Sequence, residues 1–99
     1  MLQKLTPEAI EAGLQSLPLW RLEGEEIQRI YTFADFTVAM AFVNRVAELA
    51  ERAQHHPDID IRYSRVRLAL TTHDANGLTR NDMEMARQID QLSEDTSRS

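Results

Sequence analysis

The stretch from Asp35 to Pro57 constrains the fold more than any other part of the chain. Asp35 is a good helix cap, and the residues after it predict one long helix, about Phe36 to Gln54. Pro57 disfavours helical geometry at His56, so that helix should end near His55. Its apolar residues exceed one stripe. Phe36, Ala39, Met40, Val43, Val46, Ala47 and Ala50 form one band, and Val38, Phe42, Leu49 and Ala53 widen it. A helix lying on a surface needs only one apolar face. This one therefore either sinks deeply into a single core or packs on its own sheet and on a second subunit. In a chain of 99 residues there is little core to sink into, which favours self-association.

On either side of this helix the hydrophobic period changes from helical to alternating. Upstream, Leu19 to Glu23 is a short strand with Trp20 and Leu22 on one face, Gly24-Glu25 is a turn, and Ile27 to Phe33 is a second strand. Ile27, Tyr31 and Phe33 share a face, Ile30 and Thr32 take the other, and Arg29 falls awkwardly on the Tyr31 side. Downstream, Ile59, Ile61 and Tyr63 alternate, as do Val66, Leu68, Leu70 and Thr72, with Ser64-Arg65 between them as the turn of a second hairpin. Two more helices close the ends. Leu5-Thr6-Pro7-Glu8 reads as a start, with Thr6 as cap, Pro7 at the first position and Leu5 and Ile10 as a staple; Pro18 ends that helix. After the Asn76-Gly77 turn, Thr79-Arg80-Asn81-Asp82 resembles a capping box with Asp where Glu or Gln is more usual, and Met83, Ala86, Ile89 and Leu92 follow at helical spacing. The order helix-hairpin-helix-hairpin-helix predicts an α+β fold, a four-stranded antiparallel sheet with three helices on one face. One domain, residues 1–92, is expected, with residues 93–99 a disordered polar tail.

Composition excludes several classes of function. The chain has no cysteine, so disulfides and thiolate metal sites are ruled out. A net charge of -5 argues against a phosphate-backbone binder, and no nucleic-acid partner is expected. No signal pattern opens the chain and no apolar run approaches the roughly 18 residues of a membrane span. A soluble cytoplasmic protein is the expectation.

All three histidines, His55, His56 and His73, lie in one third of the length, beside Glu51 and Asp82. Histidine exchanges protons most readily near neutral pH. Glu51 and His55 are four residues apart at a helix end, so the spacing predicts that this carboxylate orients that imidazole. Taken singly, each residue has a plainer reading: a helix-end histidine caps, Asp82 completes a capping box, Glu51 is solvated, and Tyr63 and Trp20 are core aromatics. The joint spacing points to a site. Zinc could take three imidazoles and a carboxylate, but adjacent histidines do not readily ligate one ion and the usual i, i+4 pair is missing. No metal is expected.

The run Glu51-x3-His55-His56-Pro57-x5-Tyr63-x9-His73-x8-Asp82 resembles the signature of the pterin-4a-carbinolamine dehydratases. Thr72-His73, Gly77-Leu78-Thr79, the upstream Trp20 and the Asp35-Phe36 pair extend the resemblance over about Leu19 to Leu92. Gln54 departs from it, since some relatives carry an acidic residue there. The resemblance implies dehydration of a 4a-hydroxytetrahydropterin to the quinonoid dihydropterin, recycling the cofactor of aromatic amino acid hydroxylases. It implies an enzyme, a hydro-lyase that needs no cofactor. His55, His56 and His73 would be catalytic. Glu51, Asp82, Trp20 and Thr72 would bind substrate. Two acid/base roles then fall to His56 and His73, with Glu51 positioning His55. A homodimer or homotetramer is implied, with sheets joined edge to edge and helices packing dimers together. The alternative is a non-catalytic dimerisation or assembly cofactor that offers the long-helix face to a protein partner.

Overall fold

The computed structural model describes residues 3–98. Helix α1 (Pro7–Leu14) begins where the sequence expects: the Thr6 hydroxyl accepts the Ala9 N–H at 3.1 Å and Pro7 opens the first turn. Strands β1 (Arg21–Glu23) and β2 (Glu26–Thr32) follow as a hairpin around Gly24 and Glu25, with Gly24 at φ +61°, a conformation glycine adopts without cost. Trp20 lies one residue before β1 and is buried, whereas Leu22 is half exposed. Helix α2 (Phe36–Ala53) is capped by Asp35, whose Oδ1 accepts the Val38 N–H at 2.9 Å. Gln54, in the left-handed region at φ 54°, ends it.

The second hairpin turns one residue earlier than expected. Strand β3 (Asp58–Arg62) pairs with β4 (Arg65–Leu70) in a register that sets Arg62 opposite Arg65, so Tyr63 and Ser64 are the turn. Tyr63, expected as a strand residue, has φ +53°, is 69% exposed and stacks on Phe36 with ring planes 11° apart. A 3-10 turn, His73–Ala75, leads to α3 (Arg80–Arg98). That helix carries residues expected to be a disordered tail. Thr96 is buried and its hydroxyl donates to the Leu92 carbonyl at 2.8 Å, which ties the extension to the body of the helix.

The sheet runs β1-β2-β4-β3, antiparallel throughout. Ile27 opposite Leu70 and Tyr31 opposite Val66 line its inner face, against Ala39, Phe42 and Val46 of α2 and Met85, Ala86 and Ile89 of α3. Each fully buried Ile, Leu, Val, Phe or Met among them contributes about 1.5–3 kcal/mol. Helix α1 adds Ile10 and Leu14 at the margin of the same core and meets α3 at Gly13, where a Cβ would stand 3.1 Å from the Met83 sulfur. Two consequences matter for the site. The end of α2 and the start of α3 are brought together, and the loop after β4 bridges them.

Candidate functional site

The left-handed Gln54 takes the chain out of the helix before the histidines. The His55 N–H still donates to the Ala50 carbonyl at 3.2 Å, but the side chain no longer follows helical spacing. Its Nε2 lies 2.6 Å from Oδ1 of Asp82, in the first turn of α3. Asp82 is completely buried. Its second oxygen, Oδ2, accepts the Thr79 N–H at 2.9 Å and the Thr72 hydroxyl at 2.7 Å. Thr79 accepts the Asn81 N–H at 3.3 Å, one residue short of the Asp82 N–H, so the expected capping box is formed in its Asp82 half and Thr79 caps the helix at its second N–H. Since the Thr72 proton goes to Asp82, the 2.8 Å contact between the two threonine hydroxyls is a bond from Thr79 to Thr72. With Asp82 as the carboxylate, His55 donates from Nε2. Its Nδ1 is left with no hydrogen-bond partner among the described residues.

Glu51 therefore does not hold His55. Its Oε2 lies 2.5 Å from Nε2 of His56 instead, and both side chains are largely exposed. The i, i+4 expectation presumed that His55 was still helical, and the turn at Gln54 removes that premise. Thr72 joins Asp82 and His55 in one hydrogen-bonded set. His73, the next residue, is exposed and opens onto a cavity of about 410 Å³ lined also by Glu25, Glu26, Thr71, Asn76 and Gly77. Neither His55 nor His56 lines that cavity. The link between His55 and His73 runs through Asp82 and Thr72. Among the described residues, no group of three or more His, Cys, Asp or Glu side chains is placed to hold a metal ion.

Trp20 lies elsewhere, 3% exposed in the core, with its indole N–H donating to Oδ1 of Asp90 at 3.0 Å. Sequence reasoning missed the cluster it belongs to. The same oxygen of Asp90 accepts from Arg29 at 2.7 Å and from the Tyr31 hydroxyl at 2.5 Å. The Arg29 guanidinium sits 4.1 Å from the centre of the Tyr31 ring, a cation–π contact. Burial, then the hydrogen bond to Asp90 and its charge, push the Tyr31 hydroxyl pKa well above the usual phenol range. A signal was present: Arg29 on the inner face of a strand demands a buried acid, and Asp90 beside Ile89 can supply it.

Residues 3–92 match the family described as pterin 4 alpha carbinolamine dehydratase. The chain belongs to that family. A relative from Acidobacterium capsulatum, whose name places it in the same family, is 63% identical over 89 residues, covering 90% of this chain and 97% of its own. One from Thermomicrobium roseum, named likewise, is 53% identical over 89 residues, with 90% and 96% covered. A crystal structure of a transcriptional coactivator/pterin dehydratase from Brucella melitensis superposes with a TM-score of 0.88 at 35% identity, over 92% of this chain and 99% of that one. A pterin dehydratase-like RuBisCO assembly factor of the alpha-carboxysome shares the fold, with a TM-score of 0.66 at 22% identity over 75% and 88% of the two chains. Membership of the dehydratase family accords with the α+β fold described above. No helix among the described residues is long and apolar enough to cross a membrane.

Proposed function

We propose that the chain dehydrates a 4a-hydroxytetrahydropterin to the quinonoid dihydropterin. The observation that carries this reading is the buried Asp82 bonded to Nε2 of His55, which leaves Nδ1 of that ring free to take a proton. In the reaction the C4a–O bond breaks as the hydroxyl receives a proton and leaves as water. N5 gives up its proton and the C4a=N5 double bond forms, so one proton enters and one departs. His55 is the base at N5, oriented by Asp82. His73 is the acid at the leaving hydroxyl; it directly follows Thr72, whose hydroxyl donates to the same carboxylate. His56, held by Glu51 at the exposed margin, contacts the substrate. These assignments move the base from His56 to His55, because an imidazole backed by a fixed carboxylate has a defined tautomer and direction. Each positioned proton-transfer group is typically worth about 10²–10⁴-fold in rate.

The test is dehydration of synthetic carbinolamine, followed optically, in the alanine variants of His55, His56 and His73. Losses of about 10²–10⁴-fold are expected at His55 and His73, and a smaller one at His56. Full rate in all three variants overturns the proposal.

A homo-oligomer goes with this reading. On α2, Phe36 and Ala47 lie along one line of the helix and are exposed. Molecular mass measured in solution separates a closed assembly from a labile one whose helix face would be available to another protein.

A further inference from the structure

His73 is held differently from the other two histidines. Its ring is exposed, so its place is set by the loop that carries it. That loop closes on itself: the Thr72 N–H donates to the Gly77 carbonyl at 3.0 Å, and the Gly77 N–H returns to the Thr72 carbonyl at 3.3 Å. From beneath, the Thr72 hydroxyl anchors it to Asp82. From outside, two hydrogen bonds fasten the flanks of the loop to distant parts of the chain, and an ion pair between two such parts lies beside it. The Leu5 N–H donates to the Leu78 carbonyl at 2.7 Å, and the Thr71 hydroxyl donates to the Glu25 carbonyl at 2.6 Å. Lys4 Nζ lies 3.1 Å from Glu25 Oε2.

This last pair lies across Gly77. A Cβ built on Gly77 would stand 2.6 Å from Lys4 Cε and 2.6 Å from Glu25 Oε2. Gly77 does not have a positive φ, so its need for hydrogen in place of a side chain is one of close approach and not of backbone freedom. It is buried although Lys4 and Glu25 are themselves 50% and 65% exposed at their side chains. Glu25 also lines the cavity onto which His73 opens.

We propose that the Lys4–Glu25 ion pair is a clasp seated on Gly77 that holds the His73 loop against Asp82, which makes Lys4, Glu25 and Gly77 positioning residues for His73. The consequence for rate rests on the dehydratase reading; the consequence for the loop does not. Because the pair is exposed, its hold is modest and is weakened by salt. The atoms that a Gly77 methyl would displace are the ends of two flexible side chains. Gly77→Ala therefore unseats the clasp without moving the backbone.

The experiment compares the whole chain with Lys4→Gln, Glu25→Gln, Gly77→Ala and the Lys4→Gln/Gly77→Ala double variant. Amide exchange at Ala75, Asn76 and Gly77 is read by NMR, and kcat and KM by dehydration of synthetic carbinolamine, at low and high salt. Each single variant is expected to speed exchange in this loop roughly two- to five-fold, with amides of α2 unaffected. The kcat should fall by a similar factor at unchanged KM. The double variant should match the singles, since a clasp already unseated cannot be lost again. High salt should bring the parent down to the variants while leaving the variants where they are. Parent-like loop exchange in the variants, additive losses in the double variant, or faster exchange with undiminished kcat would each overturn the proposal. A parent chain with no dehydratase activity would instead refute the functional reading, and the exchange measurements would still decide the clasp.

Discussion

Asp82→Asn separates what Asp82 does for His55 from what it does for the helix. With its amide oxygen in the place of Oδ2, the asparagine keeps the bonds from the Thr79 N–H and the Thr72 hydroxyl, at 2.9 and 2.7 Å in the parent. The opposite orientation would turn an NH₂ group toward two donors. The amide nitrogen then replaces Oδ1, 2.6 Å from Nε2 of His55, and can only donate. Nε2 must accept, the ring proton moves to Nδ1, and the free lone pair of the base is gone. A wrong tautomer of this kind costs about 10⁴-fold in the serine protease triad. A loss of about 10²–10⁴-fold is expected here, about 3–5 kcal/mol in the barrier. The structural cost is smaller. A negative charge leaves the first turn of α3, worth about 0.3–1 kcal/mol, and all three hydrogen bonds to the carboxylate become neutral ones, a loss largely offset by no longer desolvating a buried charge, for a net cost of about 1 kcal/mol. Together these lower the Tm by about 5–15 °C in a domain of this size. Dehydration assayed well below that midpoint, with the His55 ring nitrogens read by NMR, isolates the chemical effect. A folded Asp82→Asn protein with the exchanged tautomer and a rate close to the parent's would refute the assignment of His55 as base.

The Asp90 cluster should behave in the opposite way, touching stability and not rate. Trp20→Phe removes one of three donors to Asp90 and is expected to cost about 1 kcal/mol in urea unfolding, while Asp90→Leu strands the Arg29 charge and should cost about 3 kcal/mol. Undiminished dehydration in both variants at a temperature where they are folded is the expected result; a rate loss in Trp20→Phe at unchanged stability would return the indole to the substrate site. Tyr31 adds an alkaline limit. Its folded pKa lies above the unfolded value of about 10, so the stability it contributes is complete below about pH 10 and is lost as pH rises beyond it. Unfolding free energies measured on either side of about pH 10 should fall more steeply for the parent than for Tyr31→Phe; equal slopes would contradict the origin of the shift.

Much of the fold was legible because its boundaries are marked by local chemistry. Asp35 and Pro57 bracket α2, Thr6 and Pro7 start α1, and Thr79 and Asp82 start α3. The misplaced turn at Tyr63 had no such mark: neither glycine nor asparagine interrupts the alternation of Ile59, Ile61 and Tyr63, and the stacking on Phe36 that accompanies the left-handed backbone comes from another element. The extension of α3 to Arg98 was hidden for a similar reason, since a polar sequence shows no apolar period and Thr96 finds burial only once the fold has formed. At the site, residue types were legible but pairings were not. One left-handed residue, Gln54, decides whether Glu51 meets His55 or His56, and that turn is not written in the spacing. The Asp90 cluster depends on contacts between residues 59 to 70 positions apart, beyond the reach of any local pattern.

The start of α3 uses aspartate where helices more often use a longer acid or amide, and the departure acquires a meaning beside His55. A glutamate could satisfy the Thr79 amide as well or better, but one more methylene would carry its oxygens past the places that His55 and Thr72 require. The shorter arm is a compromise between two masters. Any replacement chosen to improve the helix alone would take aim away from the imidazole, so the ordinary route of strengthening a protein by perfecting its helix starts is closed at this one position.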